Sequence, residues 1–353
     1  MPLATPAQYA ELLDAAKAGG YAIPAVNVSS STTLNAAILG FVTAGSDGIV
    51  QVSRGGGEFA SGSVKDRALG ARALADYAAA VAEQAPILLV PHGDHCPPED
   101  LDGFLRPLLA ESLRRHRQGG RPLFLSQMFD GSSLPLEENL AVAAPLLEEC
   151  AAAEVILEVE IGAVGGEKDG IRGDSSNGRL YSTPEEALAV IDALGSGERG
   201  RYLLSATFGN VHGHYQPGKV ALRPSILGEI QRAVTARHGE RAAFDFVFHG
   251  SSGSAPDEIA EAVSYGVVKM NLDSDAQYAY TRAVADHMFV NYAGVVRADC
   301  DIGDKHAYDP RTWGRSAEQA MAARVVEACN QVGSAGRSLT HHESRPRGAG
   351  SEA

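Results

Sequence analysis

Short β-branched and apolar runs alternate along the chain with longer stretches in which apolar residues recur every three or four positions. The first pattern is that of buried strands and the second that of amphipathic helices. The runs are Tyr21–Val28, Gly48–Ser53, Pro86–His92, Leu123–Met128, Val155–Glu160, Tyr202–Phe208, Phe244–His249 and Val267–Leu272. The helical periodicity covers Thr32–Ala44, Val64–Glu83, Glu99–His116, Leu136–Ala153, Thr183–Leu194, Arg223–Arg237, Pro256–Tyr265 and Asp275–Phe289. Ser182-Thr183-Pro184-Glu185-Glu186 is a helix start, with a capping hydroxyl, a proline in the first turn and acids at the positive end of the dipole. Eight strands, each followed by a helix, predict an α/β fold: a (β/α)8 TIM barrel of parallel strands, preceded by a helix at Pro6–Ala18 and followed by one at Ser316–Val332.

Two stretches carry neither period. Gly162–Gly178, directly after the fifth run, is Gly-rich and charged, and a connection of that length is expected to be a functional lid over about 162–180. The tail His341–Ala353 is polar and small-residue-rich and is expected to be disordered, so residues 1–340 form the expected single domain.

Composition narrows the possibilities without naming a function. The 353 residues carry a formal net charge of −14, which argues against coating nucleic acid, since that requires a basic face. No apolar run is long enough to span a membrane, and the N-terminus lacks the layout of a signal peptide, so the expected location is the cytoplasm. The four cysteines, at 96, 150, 300 and 329, form no C-x-x-C pair and are read as reduced, mostly buried thiols.

In a barrel of this kind the residues at the C-terminal ends of the strands build the site. The runs deliver Asn27, Ser53, His92-Gly93-Asp94-His95, Gln127-Met128-Phe129-Asp130, Glu158 with Glu160, Asn210-Val211-His212-Gly213, His249 through Gly253, and Asn271 with Asp273. His95, His212 and His249 follow the third, sixth and seventh strands. Three imidazoles converging from separate strands are the usual way to hold a catalytic zinc with one position open. Asp94 beside His95 is then either an acid/base or a carboxylate orienting an imidazole. Gly213, the run from Gly250 to Gly253, Asn271, Asp273 and Ser274 supply backbone N–H groups and small polar side chains suited to a phosphate. Gly213–Lys219 approximates a Walker loop, but Val220 stands where its Ser or Thr belongs and no helix is expected there. Lys269 faces the barrel interior by alternation and is a Schiff-base candidate, and a zinc hydrolase would use the same three histidines to activate water.

The strings GDHC (Gly93–Cys96), LEVEIGAVGGEKDG (Leu157–Gly170), FGNVHG (Phe208–Gly213), FDFVFHGSSGS (Phe244–Ser254), YGVVKMNLDSDAQYA (Tyr265–Ala279) and YDPRTW (Tyr308–Trp313) resemble class II fructose-bisphosphate aldolases of the bacterial dimeric branch, from about Thr5 to Thr340. The resemblance implies zinc-dependent, reversible cleavage of fructose 1,6-bisphosphate to dihydroxyacetone phosphate and glyceraldehyde 3-phosphate. It implies zinc ligands at His95, His212 and His249, an acid/base at Asp94 for the C4 hydroxyl, and a carboxylate at Glu160 able to ligate the metal in a buried resting position. It assigns Gly213, Gly250, Ser252, Asn271, Asp273 and Ser274 to the dihydroxyacetone phosphate half. A monovalent cation (Na+ or K+) is implied beside that phosphate, near Val211, Gly213, Gly250 and Ser252. Arg311 matches the arginine that reaches the other phosphate, and Asn27 and Ser53 match hydroxyl and phosphate contacts. A homodimer or homotetramer is implied.

The chain departs from the family pattern in the lid. Where two consecutive acids are usual and the second is a general base, the sequence reads Glu167-Lys168-Asp169. A protonated lysine cannot accept a proton. Glu167 is therefore the expected base, with Asp169 the other candidate; the alternative is a related aldolase with a different phosphorylated substrate, Lys168 and Arg54 reading an extra anionic group. Gln127 stands where relatives commonly carry histidine, and Arg54 where a small polar residue is usual.

Overall fold

The computed structural model describes residues 3–162, 180–212, 222–296 and 302–340, with the backbone alone of 165–168, 171–173 and 211–212. Eight parallel strands close into a barrel: β1 Ile23–Asn27, β2 Gly48–Val52, β3 Leu89–Cys96, β4 Ser126–Phe129, β5 Ile156–Ile161, β6 Tyr202–Ala206, β7 Phe246–Phe248 and β8 Val267–Leu272. Each strand pairs with its sequence neighbours, and β8 returns to β1 through Ile23↔Lys269 to Val26↔Leu272. The helix starts follow the expected chemistry: Thr5, Ser30 and Thr183 each cap a helix with a side-chain oxygen and donate their own backbone N–H to the side chain of the third residue.

Two apolar layers hold the barrel. Ile23, Ala25, Ile49, Val90, Ile156, Leu203 and Val247 fill its lower interior with Leu12, Leu13 and Tyr9 of the first helix, while Val26, Val50, Leu157, Val159 and Leu204 face the surrounding helices. Alternation along each strand accounts for both sets. The C-terminal segment is latched beneath the barrel by Asp47, whose carboxylate accepts from the N–H of Leu88 (2.6 Å), the Ser338 hydroxyl (2.6 Å) and the N–H of Leu339 (2.8 Å).

The glycine run after β2, which carried no clear sequence signal, is the helix Arg54–Ala60, and it crosses the helix Arg67–Ala82 at a backbone contact. A Cβ on Gly70 would lie 1.8 Å from the Gly57 carbonyl oxygen, and one on Gly57 would lie 2.2 Å from that of Arg67. Neither neighbour is a side chain that can swing aside. Gly70→Ala is therefore expected to lower the unfolding free energy by about 1–3 kcal/mol through forced separation of the helices, despite the gain in helix propensity. A urea midpoint at or above that of the parent protein would show that the two helices part freely.

The lid differs from expectation. Gly162–Gly178 carries no strand period, yet Gly165–Lys168 and Ile171–Gly173 pair as an antiparallel hairpin, and Gly165 and Gly166 pair in parallel with Val211 and His212. Backbone pairing, which no hydrophobic period reports, fastens the segment after β5 to the segment after β6. The tail 341–353, Cys300, Asp169 and Gly213 lie outside the described residues, as do the side chains of Glu167, Lys168, Val211 and His212.

Candidate active site

Consecutive residues of a strand normally face opposite sides, so Asp94 and His95 should not share the barrel mouth. They do because His95 adopts a left-handed backbone (φ 32°) and the β3–β4 register slips between Gly93 and Cys96. A non-glycine residue in that region is strained by roughly 1–3 kcal/mol, a cost usually met at functional positions. Its effect here is to bring two adjacent polar side chains to one point. Asp94 Oδ1 lies 3.9 Å from His95 Nε2, and the opposite oxygen accepts from Asn27 Nδ2 at 2.8 Å. Asn27 Oδ1 in turn accepts from Gln51 Nε2 at 2.5 Å. Asn27, expected to touch substrate, thus also orients the candidate acid/base.

His95 and His249 present ring nitrogens to each other, Nε2 to Nδ1, at 3.0 Å. Two nitrogens bound 2.0–2.1 Å from one tetrahedral ion stand roughly 3.3 Å apart, so the pair is close to ligating geometry. Their far nitrogens are both occupied by carboxylates: His95 Nδ1 meets Asp130 Oδ2 at 2.8 Å, and His249 Nε2 meets Glu158 Oε1 at 2.6 Å. A carboxylate behind a ligating imidazole fixes its orientation and raises its basicity. Burial is the main cause that lowers the His249 pKa to about 4, so its imidazole is neutral at pH 7, as a ligand must be. Asp94, His95 and His249 form one group able to hold a metal ion, and His95, Asp130 and Glu160 form a second. Glu160, near the end of β5, lies with His95 and Asp130 in that second group rather than with His249. The donor set of two facing imidazoles with carboxylates behind them fits a divalent zinc-type ion. The third expected ligand, His212, is placed by its backbone alone, paired to the lid hairpin.

Beneath the imidazoles, Glu158 is fully buried and also receives Lys269 Nζ at 2.9 Å, with His92 Nε2 3.7 Å away. Desolvation raises the carboxyl pKa of Glu158, but Lys269 and His249 together prevail and hold it well below the usual range. Lys269 Nζ further donates to Asn271 Oδ1 at 2.7 Å, which turns the amide nitrogen of Asn271 toward His249 Nδ1 (3.0 Å). Lys269 is therefore an engaged counter-ion, which answers the Schiff-base candidacy.

Of the expected phosphate contacts, Ser252 and Asn271 are buried at the ends of β7 and β8, Gly250 takes a left-handed backbone (φ 63°), and Ser274 opens the helix Ser274–Val290 with Asp273 before it. The Ser53 hydroxyl accepts from Gly56 N–H at 3.2 Å as a helix cap. Arg54 is bound by Asp100, which also holds Arg67 at 2.6 Å, so its guanidinium is tethered beside the mouth by a carboxylate it shares. Arg311 does not join the mouth: its side chain is 82% exposed, pairs with Asp309 at 2.6 Å, and lines a groove with Lys305, His306, Thr312 and Arg315. Asp130 and Glu158 are site residues to which the sequence assigns no role, and Lys269 has a role other than the Schiff base its inward phase suggests. Asp130 and Glu158 stood at strand ends, and the inward phase of Glu158 and Lys269 was the available signal.

The family model described as fructose-bisphosphate aldolase class-II matches residues 7–337. The fructose-bisphosphate aldolase of Streptomyces galbus is 56% identical over 340 residues, covering 96% of this chain and 100% of the relative. That of Mycobacterium tuberculosis is 55% identical over 345 residues, covering 97% and 100%. A crystal structure of fructose-bisphosphate aldolase from Campylobacter jejuni superposes with a TM-score of 0.83 at 34% identity, covering 95% of this chain and 97% of that one.

Proposed function

The chain belongs to the class II fructose-bisphosphate aldolase family, a family of lyases, and on that premise we propose how its barrel mouth cleaves fructose 1,6-bisphosphate. His95, His212 and His249 hold a zinc ion, with Glu160 as a resting-state ligand. The observation that carries this reading is the facing pair of buried imidazoles at 3.0 Å, each backed by a carboxylate and both beside Asp94. The ion supplies the positive charge that stabilises the anion left on the dihydroxyacetone phosphate half when the C3–C4 bond breaks. Asp94, aligned by Asn27, takes the proton of the C4 hydroxyl in cleavage and returns it in condensation. Glu167 serves as the lid base at the dihydroxyacetone phosphate carbon, since Lys168 cannot accept a proton at neutral pH. Gly213, Gly250, Ser252, Asn271, Asp273 and Ser274 cradle the phosphate of that half, with a Na+ or K+ ion beside it.

The same reading includes a second copy of the chain. The helix Ser274–Val290 buries only Ala276 among its 17 residues, and Tyr278, Phe289, Val290, Tyr292 and Ile302 are all more than half exposed around it. An apolar face of this kind suits a subunit interface. Arg311 pairs with Asp309 rather than with any strand-end residue, and its grip on the distal phosphate requires that pair to open. A cytoplasmic location is supported by three buried free thiols, Cys96, Cys150 and Cys329; no described helix is long and apolar enough to cross a membrane.

The test is turnover of fructose 1,6-bisphosphate by zinc-loaded protein, with and without chelator, alongside Lys168→Glu. Cleavage is expected, abolished by chelator and restored by zinc, and faster in Lys168→Glu. Chelator-insensitive cleavage would remove the metal from the mechanism. Absence of cleavage by folded, zinc-loaded protein would favour the second reading, motivated by Lys168, of an aldolase for another phosphorylated substrate.

A further inference from the structure

The strand ladder stops short of the phosphate cradle. β7 and β8 pair last at Phe248↔Met270, and β6 and β7 pair only at Phe246↔Leu204, so the loop that follows His249 begins beyond the last rung on both sides. The loop folds back on itself through left-handed Gly250 and Gly253 (φ 63° and 85°), closed by a bond from Ser254 N–H to the Ser251 carbonyl at 3.0 Å. A loop of this composition has no apolar anchor of its own. Two side chains take over where the ladder ends. Asn210, after β6, donates its amide to the His249 carbonyl at 2.9 Å while its own Oδ1 accepts from Phe208 N–H at 2.9 Å. On the other side, the Ser251 hydroxyl donates to the Asn271 carbonyl at 2.6 Å, between two residues that are both buried.

We propose that Ser251 is a positioning residue of the phosphate cradle, a strut that sets the separation of the Gly250–Ser254 loop from the Asn271–Ser274 strand end. The proposal rests on the reading of those two segments as the site of the dihydroxyacetone phosphate anion. Ser251 acts on that anion through the loop, its own hydroxyl being committed to the Asn271 carbonyl. Backbone N–H groups hold a phosphate only when several converge at once, so their spacing matters as much as their number. The strut fixes that spacing before substrate arrives, and without it part of the binding free energy is spent on ordering the loop. Because the phosphate is remote from the bond that breaks, such a loss falls on ground and transition state alike, and therefore on KM rather than kcat.

The experiment compares Ser251→Ala, and Ser251→Cys, whose thiol fills the same space but donates weakly, with Ser252→Ala inside the cradle itself. KM for fructose 1,6-bisphosphate and the inhibition constant of inorganic phosphate are measured for each zinc-loaded protein. Both constants are expected to rise together about three- to tenfold in the Ser251 variants, as loss of one buried hydrogen bond predicts, with kcat held within about twofold. If Ser252→Ala raises both constants and the Ser251 variants raise neither, the strut is overturned and the cradle stands. If no variant moves the phosphate constant, the cradle reading fails and the strut fails with it. A lowered unfolding midpoint with unchanged KM would make Ser251 a structural residue only, and would equally overturn the proposal.

Discussion

Asp94→Asn is expected to lower kcat for cleavage by about 10²- to 10⁴-fold while zinc content and unfolding midpoint stay near those of the parent protein. The substitution is nearly isosteric, and Asn27 Nδ2, which donates to Asp94 Oδ2 at 2.8 Å, retains an oxygen to donate to. What is lost is the capacity to accept and return a proton. Asp94 is fully buried and sits 3.9 Å from His95 Nε2, close enough to reach a hydroxyl bound at the metal position without displacing either imidazole. Metal content measured on the same sample separates this outcome from loss of the ion, because an inactive variant that has also lost zinc would point to a ligand role. Cleavage within threefold of the parent rate at full zinc occupancy would remove Asp94 from the proton transfer. A smaller effect is expected for Asn27→Ala, which leaves the carboxylate in place but untethered.

Much of this site was legible because a barrel converts order along the chain into proximity. Once eight strands are counted, residues as distant as 95, 158, 249 and 271 must meet at one rim, and side-chain alternation says which of them face inward. What remained hidden depends on local departures from regularity. Asp94 and His95 share the mouth only through a left-handed backbone at a bulge, and no hydrophobic period encodes that conformation. The lid hairpin is held by backbone pairing, one of its three pairs joining two glycines and the others Glu167 with Arg172 and Lys168 with Ile171, and no hydrophobic period reports such pairing. Arg54–Ala60 escaped notice as a helix because its glycines serve a close helix crossing rather than an amphipathic face. The division of labour between Glu158 and Glu160 was also out of reach. Both face inward from β5, but only the position of Lys269 on β8 makes the lower one a counter-ion and leaves the upper one near His95 and Asp130.

That counter-ion is where the largest effect on stability is expected. Glu158→Gln keeps the shape of the side chain and removes its charge, leaving Lys269, fully buried, without a compensating anion, and His249 Nε2 with a neutral acceptor. Breaking a buried pair from one side costs about 3–5 kcal/mol, far more than the net value of the pair, and loss of the carboxylate behind a ligating imidazole weakens metal binding about 10- to 100-fold. The double variant Glu158→Gln, Lys269→Met is expected to recover much of the stability, since no charge is then stranded, but not the zinc affinity, since the imidazole stays unsupported. Stability and affinity restored together would show that Lys269, not Glu158, governs His249. The same buried layer sets the acid limit of the metal-free protein. Burial lowers His92 to about 3 and His249 to about 4 from an ordinary value of 6.5, so between pH 6.5 and 4 the unfolded chain binds more protons than the folded one. Stability must then fall on acidification through that window, by up to about 1.4 kcal/mol per pH unit for each histidine. Glu158, held well below its ordinary value of 4.5, stays ionised in the folded protein throughout, and its own loss sets in as the unfolded carboxyl protonates near pH 4.5 and grows below it. Urea unfolding of the metal-free protein at successive pH values reads this slope directly, and a flat profile from pH 6.5 to 5 would mean that neither imidazole is buried in its neutral form.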